Sequence, residues 1–145
     1  MMQTDCASTS IKRPACDVFR FLADPANMDL WSFGTWKTVI SDDGLIKGQA
    51  LQDGSSVYVR IESHANQLLI DYHVGSDASQ LQPRIFARVI PGNVVDLQDD
   101  ESILTMLAIR TPDMSNERWQ SLINAHAVEI ELIRSLIETG YDHRV

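Results

Sequence analysis

Long apolar runs are absent from this sequence of 145 residues. No segment approaches the roughly 20 consecutive apolar residues that a membrane-spanning helix requires, so no membrane span is predicted. Residues 1–11 are polar and lack the hydrophobic stretch of a secretory signal. We therefore expect a cytoplasmic protein.

Cysteines and basic residues are also scarce. Cys6 and Cys16 form neither a C-x-x-C pair nor a zinc-ligand spacing, and we expect both to be reduced. The chain has 12 Lys and Arg against 20 Asp and Glu, with a net charge of −8 and a pI of about 4.8. A chain this acidic repels phosphate backbones, so nucleic acid is not an expected partner.

Motifs that would identify a reaction or a cofactor are missing as well. The sequence contains no G-x-S-x-G, no P-loop, no G-x-G-x-x-G and no H-E-x-x-H. His64, His73 and His143 do not have the spacing of metal ligands. No metal site and no cofactor are therefore predicted.

The composition that is present is typical of a globular protein. Apolar residues make up 44% of the chain and charged residues 22%, which is enough apolar material for a sizeable core. No repeat, low-complexity segment or linker interrupts the chain. We therefore predict one domain over residues 1–145.

Local patterns predict the first elements of this domain. A β-like run over residues 4–11 opens the chain. A short helix over residues 14–23 follows, with Pro14 at its first position. A second short helix is predicted over residues 25–31, with Asp24 as its N-cap. Six further β-like runs are predicted over residues 36–40, 45–51, 56–63, 68–74, 84–90 and 103–109.

Two of these runs form the clearest predicted hairpin. With a two-residue loop at residues 65–66, one register places Val59 opposite Tyr72 on an apolar face. The same register places Arg60 opposite Asp71 on the other face, as a charge pair. In the last two strands the apolar residues are too continuous to predict which face points inward.

The strongest helix prediction covers residues 116–139. Ser115 is a suitable N-cap, and Gly140 is a typical C-terminal stop. Apolar residues and one histidine recur at spacings of four and three, forming one stripe of Trp119, Ile123, His126, Ile130, Ile133 and Ile137. A helix of about 36 Å with a single apolar stripe requires a broad partner surface, which the sheet supplies.

The order of these elements resembles the Bet v 1-like, START-related superfamily, known as the helix-grip fold. Residues 11–25, IKRPACDVFRFLADP, resemble the opening of that family, and residues 119–138 resemble its final helix. Trp31 also stands where such proteins commonly place a tryptophan. The similarity is closest to the polyketide cyclase/dehydrase-like branch. It implies an α+β fold in which a curved antiparallel sheet of about seven strands wraps a long C-terminal helix.

The resemblance implies a function class, since relatives hold apolar small molecules between helix and sheet. Three hypotheses follow for this chain. The first is binding of an apolar or aromatic small molecule in that cavity, and the second is a polyketide cyclase or dehydratase-type enzyme using the same cavity. The third is a protein-interaction module with a filled core and an exposed apolar patch. A second copy of the chain is a further candidate partner.

His126 and Tyr72 are the candidate polar anchors and candidate catalytic residues. His126 lies within the apolar stripe, and imidazole suits general acid–base chemistry. The Tyr72 hydroxyl needs a partner among aliphatic neighbours, and a ligand, His126 or backbone could provide it. The alternative for each residue is an ordinary place in the core. If both bind a ligand, their side chains should point into one cavity of several hundred Å³.

Apolar residues complete the predicted ligand site. The predicted wall comprises Trp31, Trp36, Val59, Ile70, Met106, Trp119, Ile123 and Ile130. Their alternative is core packing, which is the more common role of large apolar side chains.

Overall fold

The computed structural model, which describes residues 3–144, contains a seven-stranded antiparallel sheet and a long C-terminal helix. The strands are β1 (Thr4–Ile11), β2 (Trp36–Ile40), β3 (Ile46–Gln49), β4 (Ser56–His64), β5 (Leu69–Gly75), β6 (Gln82–Pro91) and β7 (Ser102–Ile109). The helices are α1 (Ala15–Ala23), α2 (Met28–Trp31) and α3 (Asn116–Thr139), with short 3-10 helices at Pro25–Asn27 and Gly92–Val95. The strand order is β1-β7-β6-β5-β4-β3-β2. The predicted α+β helix-grip architecture is confirmed.

Capping residues mark the ends of several helices. The Ser115 hydroxyl accepts a hydrogen bond from the backbone N–H of Arg118 at the start of α3, and Gly140 ends this helix in a left-handed conformation. Asp24 caps the short 3-10 helix before α2. Helix α1 begins at Ala15, one residue later than predicted, and Pro14 is its N-cap rather than its first helical residue.

The register of the β4–β5 hairpin differs from the prediction by two residues. The connecting loop contains four residues, 65–68, and Leu68 has a positive φ of 56°. Val59 therefore lies opposite Val74, and Tyr72 lies opposite Ile61. A shift of two residues leaves every side chain on its predicted face, because side chains alternate with a period of two.

The predicted charge pair on the outer face is wrong for the same reason. Arg60 lies opposite His73, and its guanidinium contacts the carboxylate of Asp43 at 3.1 Å. Asp71 instead lies 3.6 Å from the imidazole of His64. The two-residue shift therefore separates Arg60 from Asp71.

The last two strands point alternate residues toward the helix, which resolves the face left open by the sequence. Ala87 and Val89 of β6 are buried, as are Leu104, Met106 and Ala108 of β7, while residues between them keep partial exposure. These strands lie inside the sheet, so their outer faces are also shielded by neighbouring side chains. This position inside the sheet explains why β6 and β7 carry apolar residues on both faces.

The long helix α3 lies against the concave face of the sheet. It packs most extensively against β1 and also contacts α1 and α2. Its buried residues are Trp119, His126, Ile130, Ile133 and Leu136, while Ile123 and Ile137 keep partial exposure. None of the helices within residues 3–144 is both long enough and apolar enough to cross a membrane. Cys6 and Cys16 are free thiols.

Candidate functional site

Four inward-facing residues align in one row across the sheet. Cross-strand pairing places Tyr72 opposite Ile85, Ile85 opposite Ala108, and Ala108 opposite Asp5. Tyr72 and Asp5 are three strand spacings apart, which corresponds to roughly 14 Å. The row crosses the concave face that α3 covers, so it places two polar side chains, those of Tyr72 and Asp5, at the helix–sheet interface.

His126 of α3 is held at the Asp5 end of this row. Its Nδ1 lies 3.0 Å from Oδ2 of Asp5, and the histidine is 3% exposed. The other ring nitrogen, Nε2, is buried and has no hydrogen-bond partner among residues 3–144. Asp5 was not predicted as a site residue. The alternation of side chains along β1 could have indicated it, because Asp5 shares the inward face with Ala7 and Ile11.

Tyr72 is held at the other end of the row by a backbone group. Its hydroxyl donates to the carbonyl of Leu22 at 3.0 Å, and its ring meets Trp31 edge-on with centroids 5.8 Å apart. Leu22 lies in the last turn of α1, where carbonyls lack helical partners. Burial, reinforced by the charge of Glu129, raises the pKa of Tyr72 above its ordinary value. This arrangement favours a structural hydroxyl over a proton-transfer group.

Glu129 is a polar group of the interface that the sequence analysis missed. One carboxylate oxygen accepts the backbone N–H of Phe33 at 2.9 Å, which ties α3 to the segment after α2. Burial raises the pKa of Glu129 to about 7, although the hydrogen bond from Phe33 acts in the opposite direction. The sequence could have indicated this role, because Glu129 follows His126 by three residues and therefore borders the buried stripe of α3.

Tyr72 and His126 therefore both lie at the helix–sheet interface, but different elements hold them. Tyr72 is bound to α1, and His126 is bound to β1. The predicted convergence of their side chains on one cavity stays a prediction.

The predicted wall residues separate into three groups. Five belong to one buried core cluster: Trp31, Val59, Ile70, Met106 and Ile130. Trp119 in the first turn of α3 is buried, and Ile123, one turn later in the same helix, is partly exposed. Trp36 is 40% exposed on the edge strand β2, where the Lys37 amine lies 4.9 Å from its ring centroid. Trp36 thus lies outside the buried cluster.

Two depressions of the described surface lie away from this interface. One, of about 300 Å³, lies between α1 and the C-terminal end of α3, with Arg13 and Tyr141 among its lining residues. The other, of about 340 Å³, lies between the β4–β5 loop and the end of β6. Neither is lined by Tyr72 or His126. The cavity expected beneath α3 is therefore neither of these depressions.

Inward-facing apolar residues nevertheless remain partly exposed on three neighbouring strands of the sheet. They are Val57 and Ile61 of β4, Val74 of β5 and Ile85 of β6. Val57 and Val74 lie toward the end of the sheet where β7 finishes, and Ile61 and Ile85 lie in the row of Tyr72; we call these four residues the open apolar wall. Inward-facing side chains with residual exposure mark the part of the interface that α3 covers least.

Solved structures share this fold across nearly the whole chain. The Zhui aromatase/cyclase from Streptomyces sp. R1128 is 15% identical, covers 99% of this chain and 98% of its own, and has a TM-score of 0.70. The Aha1 dimer from Colwellia psychrerythraea is 13% identical over 97% of this chain and 100% of its own, with a TM-score of 0.68.

A third similar structure is the di-domain aromatase/cyclase BexL from the BE-7585A biosynthetic pathway. It is 16% identical, covers 94% of this chain and 47% of its own, and has a TM-score of 0.66. No protein-family model matches the chain, and the search of curated proteins finds no match. At these identities the similarity shows the fold alone, and the predicted helix-grip architecture is confirmed. Fold similarity alone does not assign a function.

Proposed function

We propose that the protein binds an apolar or aromatic small molecule between α3 and the open apolar wall. The observation that carries this proposal is the buried His126, whose Nε2 lacks a hydrogen-bond partner within residues 3–144. A buried polar atom without a partner is rare in proteins and is costly. A bound molecule with one polar group would satisfy this nitrogen, while its apolar part would cover the wall.

The affinity of such a complex would come mainly from apolar contact. Burial of apolar surface contributes about 25 cal/mol per Å², before the cost of association is subtracted. Because the core around Tyr72 and Met106 is closely packed, the ligand has to lie nearer the beginning of α3. Movement of that part of the helix away from the sheet would supply the additional space.

A pair of substitutions on α3 tests this location. Ile123→Trp adds bulk at a partly exposed position three residues before His126 on the same stripe of α3, whereas Val128→Trp adds the same bulk at a position that is 55% exposed. We expect Ile123→Trp to weaken binding of naphthalene-type probes by at least about tenfold, which corresponds to the loss of about 1.4 kcal/mol of contact energy.

Fluorescence titration measures these affinities, and native mass spectrometry of freshly purified protein shows whether a ligand is retained. Val128→Trp should bind the probes as the unsubstituted protein does. Equal binding by both variants would place the ligand elsewhere. Absence of probe binding by the unsubstituted protein would contradict the proposed function.

The enzyme hypothesis gains one specific observation. A carboxyl group with a pKa of about 7 is suited to general acid–base chemistry at neutral pH, and Glu129 has this property. His126 stays the second candidate for proton transfer. Among the similar structures, the Zhui and BexL proteins are named as aromatase/cyclases. A cyclase or dehydratase-type reaction at the same site is therefore the alternative proposal.

The interaction-module hypothesis also gains an observation. Trp36, Val39 and Ile40 of the edge strand β2 are between 39% and 69% exposed. A second copy of the chain would pair through this edge, as exposed edge strands do. The irregular pairing of β2 with β3 between Trp36 and Val39, however, makes β2 a less regular template for such pairing. The hypothesis predicts a concentration-dependent dimer that Val39→Lys disrupts, and sedimentation of a monomer at every concentration would contradict it.

A further inference from the structure

We propose that Asp5 holds His126 in one tautomer and thereby makes the site selective for apolar ligands that carry a hydroxyl group. The inference rests on the proposed function, because it concerns the same helix–sheet interface. Its new elements are a positioning role for Asp5 and a chemical class for the ligand, namely phenols, enols and alcohols on an apolar frame.

The first step concerns the hydrogen on the imidazole ring. An ionised carboxylate can only accept hydrogen bonds, so the 3.0 Å contact with Oδ2 of Asp5 requires a hydrogen on Nδ1 of His126. A neutral imidazole has a single N–H group. Its Nε2 is then a hydrogen-bond acceptor with a lone pair. In the neutral ring, Asp5 therefore determines the chemical character of the nitrogen that has no partner among residues 3–144.

The second step concerns how firmly this geometry is held. Asp5 lies within β1, whose residues Thr4–Ile11 pair continuously with β7. His126 lies near the middle of the 24-residue helix α3 and is 3% exposed. Both groups are thus carried by regular elements, which fix a side chain more precisely than loops do.

The third step concerns the space around the pair. The cross-strand neighbour of Asp5 is Ala108, and the next inward residue of β1 is Ala7. Both have methyl side chains, the smallest that face α3 at this edge of the sheet. The row then continues through Ile85, which belongs to the open apolar wall. A flat apolar ligand resting on this wall could therefore present one polar group to His126.

The fourth step concerns selectivity. A ligand hydroxyl can donate to Nε2, whereas an ether or ketone oxygen presents a second lone pair to it. A site that hydrogen-bonds a ligand hydroxyl discriminates strongly against analogues that lack the donor, because its own buried group is then left unpaired. Naphthol and its methyl ether form a suitable pair of probes, since both have the same ring system and only naphthol can donate.

The tautomer itself is measured without a ligand. In the imidazole nitrogen NMR spectrum of the unsubstituted protein, we expect His126 to show a protonated Nδ1 and an unprotonated Nε2. The signals are assigned by their loss in His126→Gln. The Asp5→Asn side chain can both donate and accept, so it should reduce the preference for this tautomer. A hydrogen on Nε2 in the unsubstituted protein would overturn the inference.

Ligand selectivity provides the second measurement, by titration calorimetry. The unsubstituted protein should bind naphthol at least about tenfold more tightly than its methyl ether. In Asp5→Asn this ratio should fall to within about threefold, since either nitrogen of His126 can then carry the hydrogen. Ser10→Asn introduces the same amide at an exposed, outward position of β1 and should leave the ratio unchanged.

The outcomes separate this inference from the proposed function. If both probes bind the unsubstituted protein equally well, the role of Asp5 and His126 in selectivity is wrong, while binding at the open apolar wall stands. If neither probe binds, the proposed function fails and the inference fails with it. A ratio that is high in the unsubstituted protein and equally high in Asp5→Asn would exclude Asp5 as the positioning residue.

Discussion

Replacement of Tyr72 by alanine is expected to lower the free energy of unfolding by about 4 kcal/mol, the usual cost of truncating a fully buried aromatic residue. Tyr72 has no exposed surface and packs edge-on against Trp31. Its removal leaves a void in the centre of the sheet and leaves the Leu22 carbonyl without its donor. Both losses affect the contact between the sheet and α1, so we expect the effect on overall stability to be large.

Tyr72→Phe is the matched variant, because it keeps the ring and removes only the hydroxyl. It should cost about 1 kcal/mol, the net value of one hydrogen bond of this kind. Urea denaturation followed by circular dichroism gives both free energies. Equal losses in the two variants would show that the hydroxyl rather than the ring stabilises this region. A loss below about 1 kcal/mol in Tyr72→Ala would contradict the close packing of the core.

The second large effect is the pH dependence that Glu129 imposes on stability. Burial raises its pKa in the folded protein to about 7, from an ordinary value of 4.5. Between these values the folded state binds more protons than the unfolded state, so stability decreases as pH rises through this window. A shift of this size corresponds to about 3 kcal/mol, which is present below pH 4.5 and lost above pH 7.

Glu129→Gln isolates this contribution. Its amide oxygen can still accept the N–H of Phe33, but it carries no charge to bury. We expect the variant to be more stable than the unsubstituted protein above pH 7 and to have a flatter stability profile below it. Urea midpoints measured across this range provide the test.

Glu131→Gln is the control for a general effect of removing a carboxylate from α3. Glu131 is exposed and pairs with Arg134 one turn away, at 2.8 Å from its Nε. Such surface pairs contribute little, so this variant should change stability by less than about 0.5 kcal/mol at any pH. If Glu129→Gln has the same pH profile as the unsubstituted protein, the folded-state pKa of Glu129 is not raised.

The same carboxyl group links stability to the proposed site. Glu129 and His126 stand three residues apart on α3, and each contacts a different part of the surrounding structure: Phe33 after α2 and Asp5 of β1. These two polar contacts therefore connect one stretch of the helix to two different segments of the chain. A ligand that displaces the beginning of α3 would have to preserve or replace them.

The sequence by itself determined the order and type of the strands and longer helices, and the bounds of three of them. Helix α3 runs over the residues predicted from its stripe, its Ser115 cap and its Gly140 stop, and β1 and β2 also begin and end where predicted. These features depend on neighbours within a few residues, so local patterns contain the necessary information. The hairpin faces were predictable for the same reason, since side chains alternate along a strand.

Tertiary structure alone decided the register of β4 and β5, the inward face of the last two strands and the partners of the polar groups. A two-residue shift leaves the apolar pattern unchanged, so the sequence could not distinguish the two registers. Asp5 and His126 are 121 residues apart in the chain, and Glu129 meets the backbone of Phe33 across 96 residues. Local patterns carry no information about such contacts. They arise because α3 packs against both β1 and α2, which are distant from it in the sequence.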